Sequence, residues 1–190
     1  MTLFVGLGNP GSQYENTRHN IGFKVIDELV DDLSARDISK TSFQGKLYRS
    51  ASSLFLKPTT FMNLSGKSLQ TVKNFFKVEM EDIIVIHDDI DLPFGAVRFK
   101  KGGGHGGHNG LRSIDDHLTK EYLRVRIGVG KPEYKSQVSD YVLHDFSEDE
   151  SKVLDQLIAH VAKACKVMLS EELNEVKSKY SLKSIDALEN

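Results

Sequence analysis

Proton transfer near neutral pH calls for an imidazole beside a carboxylate, and this chain places such residues at the ends of predicted strands. His87-Asp88-Asp89 follows the apolar run Ile83-Ile84-Val85-Ile86, and His19 stands shortly after the loop that ends the first apolar run, residues 3–7. Histidine is the natural general base in this pH range, and a carboxylate bonded to one ring nitrogen fixes its tautomer and stabilises its charged form. His19 and His87 are therefore both candidates. Asp88 is the candidate partner of His19, because in an α/β sheet the C-terminal edges of neighbouring strands share the ligand crevice. The competing reading of a lone histidine at a helix start is a capping or solvent-exposed group.

Water is the expected nucleophile. No G-x-S-x-G elbow is present, and Ser65 in Asn63-Leu64-Ser65-Gly66 lacks its flanking pattern. His105 and His108 flank two glycines, but that leaves both on pliant backbone without an evident third ligand, so no metal site is expected. The glycines at 102, 103, 104, 106, 107 and 110 suit a loop whose backbone approaches a ligand closely, against the simpler reading of a mobile connection. Asn9, Asn63 and Asn109 each follow a predicted strand, and a neutral amide can donate and accept, which suits an ester or amide substrate. Taken singly, each reads equally as a cap or turn residue.

Gly6-Leu7-Gly8-Asn9-Pro10-Gly11 matches the dinucleotide fingerprint, but its context does not. Pro10 and further loop residues separate the glycines from the next helix, whose N-terminus would have to meet the pyrophosphate. The acidic residues Asp27 and Glu28 fall within that helix rather than ending a second strand.

The elements that must position these groups follow from periodicity. Residues 3–7 read as a buried strand. Ile21, Val25, Ile26, Leu29, Val30 and Leu33 share one face of a helix that Thr17 can cap. A strand pair is expected around 43–57, closed by Pro58. A second amphipathic helix carries Leu64, Ser68, Leu69, Val72, Phe75 and Phe76, with Asn63 or Ser65 as caps, and ends near Lys77. The β-branched run 83–86 predicts a central strand buried on both faces. Strands at 96–100 and 123–129 flank the glycine-rich loop and a short helix over about 109–118. A long C-terminal helix carries Leu154, Leu157, Ile158, Val161, Cys165, Met168 and Leu169. This alternation predicts an α/β fold: a single compact domain, residues 1–190, with a twisted, mixed, largely parallel sheet flanked by helices. The last ten or so residues, 181–190, are expected to be loosely ordered.

With 190 residues, 39 % hydrophobic content and a formal charge of −2, the chain has room for a sizeable core. Its N-terminal apolar run is too short for a signal peptide or a membrane span, so a cytoplasmic protein is expected. The single cysteine, Cys165, reads as a core residue rather than a catalytic thiol. Residues 98–135 carry nine Lys or Arg against four Asp or Glu, a basic segment open to either a nucleic-acid or an ordinary surface reading.

Taken together, GLGNPG (6–11), TRHNIGF (17–23), KPTTFMNLSG (57–66), HDDIDLPFG (87–95), KKGGGHGGHNGLRSI (100–114) and RVRIGVGKP (124–132) resemble the bacterial peptidyl-tRNA hydrolase family in identity, order and spacing. The resemblance spans nearly the whole chain. It implies a monomeric, cofactor-free and metal-free enzyme that cleaves the ester between a peptide and the 3′ ribose of tRNA. It makes His19 the base that activates water and Asp88 the group that stabilises its protonated form. Asn9 resembles the residue that separates N-blocked peptidyl-tRNA from free aminoacyl-tRNA. Asn63, Asn109, Tyr14 and Phe61 resemble positions that hold the peptide and the tRNA end, Met62 lines the pocket, and Lys100 with Arg126 clamps a tRNA phosphate. Lys131, where arginine is common, and the polar His105 depart from the pattern and bear only on tRNA affinity. The rival reading is a catalytically silent RNA-binding protein on the same scaffold, against which the intact His19, Asp88 and asparagine set argues.

Overall fold

The computed structural model describes residues 1–189. In chain order its elements are β1 (Thr2–Gly6), α1 (Ile21–Asp32), β2 (Arg36–Asp37), β3 (Gly45–Ser50), β4 (Ser53–Pro58), α2 (Ser65–Phe76), β5 (Ile83–Asp89), β6 (Val97–Lys101), α3 (Asn109–His117), β7 (Leu123–Gly128), α4 (Val138–Val142), α5 (Glu148–Val167), α6 (Leu173–Tyr180) and α7 (Asp186–Glu189). The strands form one seven-stranded sheet in the order β2-β3-β4-β1-β5-β7-β6. Its four central strands, β4, β1, β5 and β7, run parallel, and β2, β3 and β6 add antiparallel edges. The result is a single α/β domain.

Side chains alternate across each strand, so the sheet divides the core in two. Phe4, Ile84, Ile86, Val125 and Ile127 face α1 and α5, while Leu3, Val5, Ile83 and Val85 face α2 and α3. This explains why 83–86 carries no polar residue: both of its faces are covered. The same alternation sends Val97, Phe99, Val125 and Ile127 into the first core. Lys100, Arg124 and Arg126 consequently share the other face, where they line a cavity. Cys165 is buried in the first core, and burial pushes its thiol up to about 12, which removes any nucleophilic role near neutral pH.

None of the three candidate cap residues caps its helix. Thr17 stands ahead of a 3-10 turn, Arg18–Asn20, and its hydroxyl donates to the Tyr14 carbonyl at 2.9 Å rather than to the helix. Asn63 lies within another 3-10 turn, Met62–Leu64, and the Ser65 hydroxyl donates to the Met62 carbonyl, so neither caps α2. In both places an extra 3-10 turn takes up the chain before the α-helix begins. The segment after Tyr180 is also better held than expected. Leu182 and Val97 exchange backbone bonds of 2.9 and 3.0 Å, and Ile185 sits against Gly95, which extends the sheet edge. Only Asn190 of the expected loose tail lies outside the described residues.

Close backbone contact seats α1 on the sheet. A Cβ on Gly22 would lie 2.4 Å from the Ile86 carbonyl oxygen and 2.6 Å from the Leu7 nitrogen, and one on Gly6 would lie 2.2 Å from the Gly22 oxygen. Gly22 follows the turn that carries His19, so this contact also sets the height of that turn above the strand ends. Gly22→Ala should therefore lower stability by about 1–3 kcal/mol through overpacking. Thermal unfolding measures it, and an unchanged Tm would show that α1 is free to shift.

Candidate active site

Asp88 ends the buried run of β5 and is itself 2 % exposed. A carboxylate so deep must find donors. His19 Nδ1 lies 2.8 Å from one of its oxygens and His108 Nε2 lies 2.8 Å from the other. Burial works against the charged carboxylate, yet the imidazoles of His19 and His108 outweigh it and hold the Asp88 carboxyl well below the usual range.

The carboxylate accepts only, so both facing nitrogens carry hydrogens, and the remaining nitrogen of each ring then decides what the ring can do. His108 Nδ1 accepts from the Gly110 and Leu111 amides at 3.1 and 3.3 Å, capping α3, so both of its nitrogens are spent. His87 Nδ1 donates to the Asp88 carbonyl at 2.8 Å, and its Nε2 is buried without a partner. His87 and His19 both line the cavity, but of the three rings at Asp88 His19 is the one whose remaining nitrogen, Nε2, is neither hydrogen-bonded nor buried. The two histidines left open by the sequence thus differ in the exposure of that nitrogen. The structure also adds His108, which the sequence reading had set aside with His105 as an improbable metal pair. Among the described residues, His19, Asp88 and His108 are the set whose ligand atoms lie close enough, within 4.8 Å, to hold a metal. Those atoms are already engaged with one another.

The cavity over this cluster has a volume of about 510 Å³. Asn9, His19, Met62, Asn63, Asp88, Lys100, Asn109 and Arg126 all line it. Tyr14 and Phe61 do not: their rings meet edge-on, 6.5 Å apart, outside that lining. Phe61 is held at φ 65°, a strained conformation for a bulky residue, and the bend aims the Met62 amide at Asn9 Oδ1, 2.7 Å away. Asn109 is the first residue of α3 and exposed, one position after its cap. Arg126 gives its Nε to Asp89 at 2.8 Å, while Lys100 is exposed. Arg124, one strand position pair away, is buried and donates to the carbonyls of Gly103 and Gly104, which fastens the glycine-rich loop to the sheet. Asn20, like His108 and Arg124, is a polar residue that the sequence reading missed. It is buried beside His19, and its carboxamide bonds both backbone groups of Asn9.

His87 provides a pH signature. Burial, reinforced by the neighbouring His108, pushes its imidazole down to about 4, against the pull of the Asp88 carbonyl and of the Asp88 and Asp89 charges. The unfolded chain would take up this proton near pH 6.5, so the unfolded state binds more protons between about 6.5 and 4. The stability that His87 contributes is therefore complete above pH 6.5 and declines as the pH falls toward 4. Its C2–H resonance should keep the neutral shift at pH 5. A resonance that titrates near 6.5 would contradict the burial argument.

The chain matches the family model described as peptidyl-tRNA hydrolase over residues 3–187. It is 77 % identical over 189 residues to a peptidyl-tRNA hydrolase of a Sulfurovum species, covering 100 % of both chains. It is 57 % identical to that of Sulfurimonas denitrificans, covering 96 % of this chain and 97 % of the relative. Among solved structures, a peptidyl-tRNA hydrolase from Acinetobacter baumannii superposes with a TM-score of 0.92 at 35 % identity, covering 97 % of this chain and 96 % of that one. Sequence and fold agree over nearly the full length and lead to one conclusion: this chain belongs to the peptidyl-tRNA hydrolase family.

Proposed function

We propose that His19 is the general base of an ester hydrolysis in which water releases the peptide, or an N-blocked amino acid, from the 3′-terminal ribose of tRNA. One observation carries this reading. Of the three imidazoles around Asp88, only His19 has a ring nitrogen that is neither hydrogen-bonded nor buried. Its Nε2 takes a proton from water as the oxygen attacks the ester carbonyl, and Asp88 stabilises the imidazolium through Nδ1–H. The tetrahedral intermediate collapses, the C–O bond to the ribose breaks, and the proton passes to the leaving 3′ oxygen. The products are a carboxylic acid and free tRNA.

The surrounding groups divide the remaining work. Asn63 is the candidate donor to the developing oxyanion, and Asn109 holds the tRNA end or the peptide. Met62 supplies an apolar wall. With its Oδ1 committed to the Met62 amide, Asn9 offers its Nδ2–H₂, which a blocked substrate's carbonyl accepts and a free ammonium does not. Lys100 and Arg126 take a backbone phosphate, a contact indifferent to sequence. Tyr14 and Phe61 stand outside the cavity lining, where they suit a part of the substrate beyond the scissile bond. The same reading takes the enzyme as a monomer that meets its tRNA substrate in the cytoplasm. No described helix is long and apolar enough to cross a membrane.

His19→Asn should abolish acyl release from N-acetyl-aminoacyl-tRNA while leaving tRNA affinity nearly intact, since phosphate contacts carry that affinity. Hydrolysis near the wild-type rate would remove His19 from the mechanism.

The two cations should behave differently. Lys100→Ala should weaken tRNA binding and reduce its salt dependence by about one unit of slope at most. Arg126→Ala should weaken it further, because it also uncovers the charge of Asp89, to which Arg126 is bonded. Small ester substrates without the phosphate should react unchanged with both variants. An equal loss on both substrate types would place these residues in the chemistry or the fold.

A further inference from the structure

We propose that Asn20 positions the amide of Asn9, so that selection between blocked and free amino groups depends on a residue that does not line the cavity. The inference rests on the reading of Asn9 as the discriminating group. Asn20 is 2 % exposed, its Nδ2 donates to the Asn9 carbonyl at 2.9 Å, and its Oδ1 accepts from the Asn9 amide at 2.9 Å. A backbone N–H can only donate and a carbonyl can only accept, so both ends of this carboxamide are assigned without ambiguity. The same logic fixes the Asn9 side chain: the Met62 amide claims Oδ1 at 2.7 Å, and the Nδ2–H₂ end is left for the cavity.

Little else holds the backbone at this point. The last sheet-like bond of the strand is made by the Leu7 amide, which donates to the Ile86 carbonyl at 3.1 Å. Beyond it the chain runs Gly8-Asn9-Pro10-Gly11, in which Pro10 has no N–H and Gly11 sits at φ 110°. The peptide planes on either side of Asn9 would turn readily without the two bonds from Asn20, and any such rotation carries the side-chain amide with it. Asn20 directly follows His19 in the turn Arg18–Asn20. One residue thus ties the loop that carries the selecting amide to the turn that carries the base.

A purely structural role and a positioning role differ in what they change. Loss of structural bonds slows both substrates alike, whereas loss of positioning alters the preference between them. Asn20→Ala should lower the ratio of kcat/KM for N-acetyl-aminoacyl-tRNA over aminoacyl-tRNA by about tenfold, as misplacing one discriminating hydrogen bond would. Asn9→Ala should lower it at least as far, and the double variant should match Asn9→Ala alone, because Asn20 acts only through Asn9. Should Asn20→Ala fail to fold, Asn20→Ser carries the same comparison, its hydroxyl satisfying one backbone group but not both. A wild-type ratio in Asn9→Ala would overturn the reading of Asn9 and the inference with it. A changed ratio in Asn9→Ala beside an unchanged one in the Asn20 variants would overturn the inference alone.

Discussion

A carboxylate with almost no exposure, at the end of a strand in the middle of a sheet, imposes a requirement on everything near it. Asp88 has two oxygens that need donors, and an unpaired buried charge would cost several kcal/mol. The chain meets the need with two imidazoles brought from separate elements, the turn before α1 and the N-cap of α3. Three constraints follow. The turn must sit at a fixed height, which the glycine contact between α1 and β1 secures. The glycine-rich loop must return to the sheet so that α3 can begin beside it. His108 must use its second nitrogen on the helix amides, which leaves His19 as the ring with chemical freedom.

Much of this was legible in the sequence. Apolar periodicity located the central strand and the long helices, since a strand covered on both faces and a helix with one buried stripe leave distinct patterns. His19 and Asp88 could be paired because strand ends in an α/β sheet meet at one edge. The asparagines at 9, 63 and 109 could be gathered for the same reason, and the structure does bring all three to one cavity.

What escaped has a common cause. His108 sits among glycines, which dilute any local signal, and its partner lies 20 residues away across the sheet edge. Asn20 sits within a stretch read as a helix start, where an asparagine suggests a cap, and its true partners are backbone groups 11 residues back. Thr17, Asn63 and Ser65 were credited with caps because 3-10 turns and α-helices begin with the same residue types. Tyr14 and Phe61, which the resemblance gives as holding the peptide or the tRNA end, lie outside the cavity lining, and the backbone of Phe61 at φ 65° aims the Met62 amide while its own ring stays exposed. Residues 181–190 were expected to be loosely ordered because Leu182 and Ile185 are too few to make a pattern, yet each of these two finds a seat at the edge of β6.

A chain of formal charge −2 still presents cations to its cavity, and the three on the sheet face differ in freedom. Arg124 is buried and spends its terminal nitrogens on loop carbonyls and on the Tyr122 hydroxyl, while its Nε finds no partner. Among the described residues no carboxylate is hydrogen-bonded to it directly, but the Tyr122 hydroxyl links it to Asp115, to which that hydroxyl donates at 2.8 Å. Arg126 shares its charge with Asp89, and Lys100 has most of its side chain in solvent. In the loop that Arg124 grips, Gly103 sits at φ 102°, in the left-handed region that favours glycine, beside the flexible end of Lys100. Arg124 thus fixes the loop while Lys100 is left to meet a ligand, and the phosphate reading of Lys100 depends on that division.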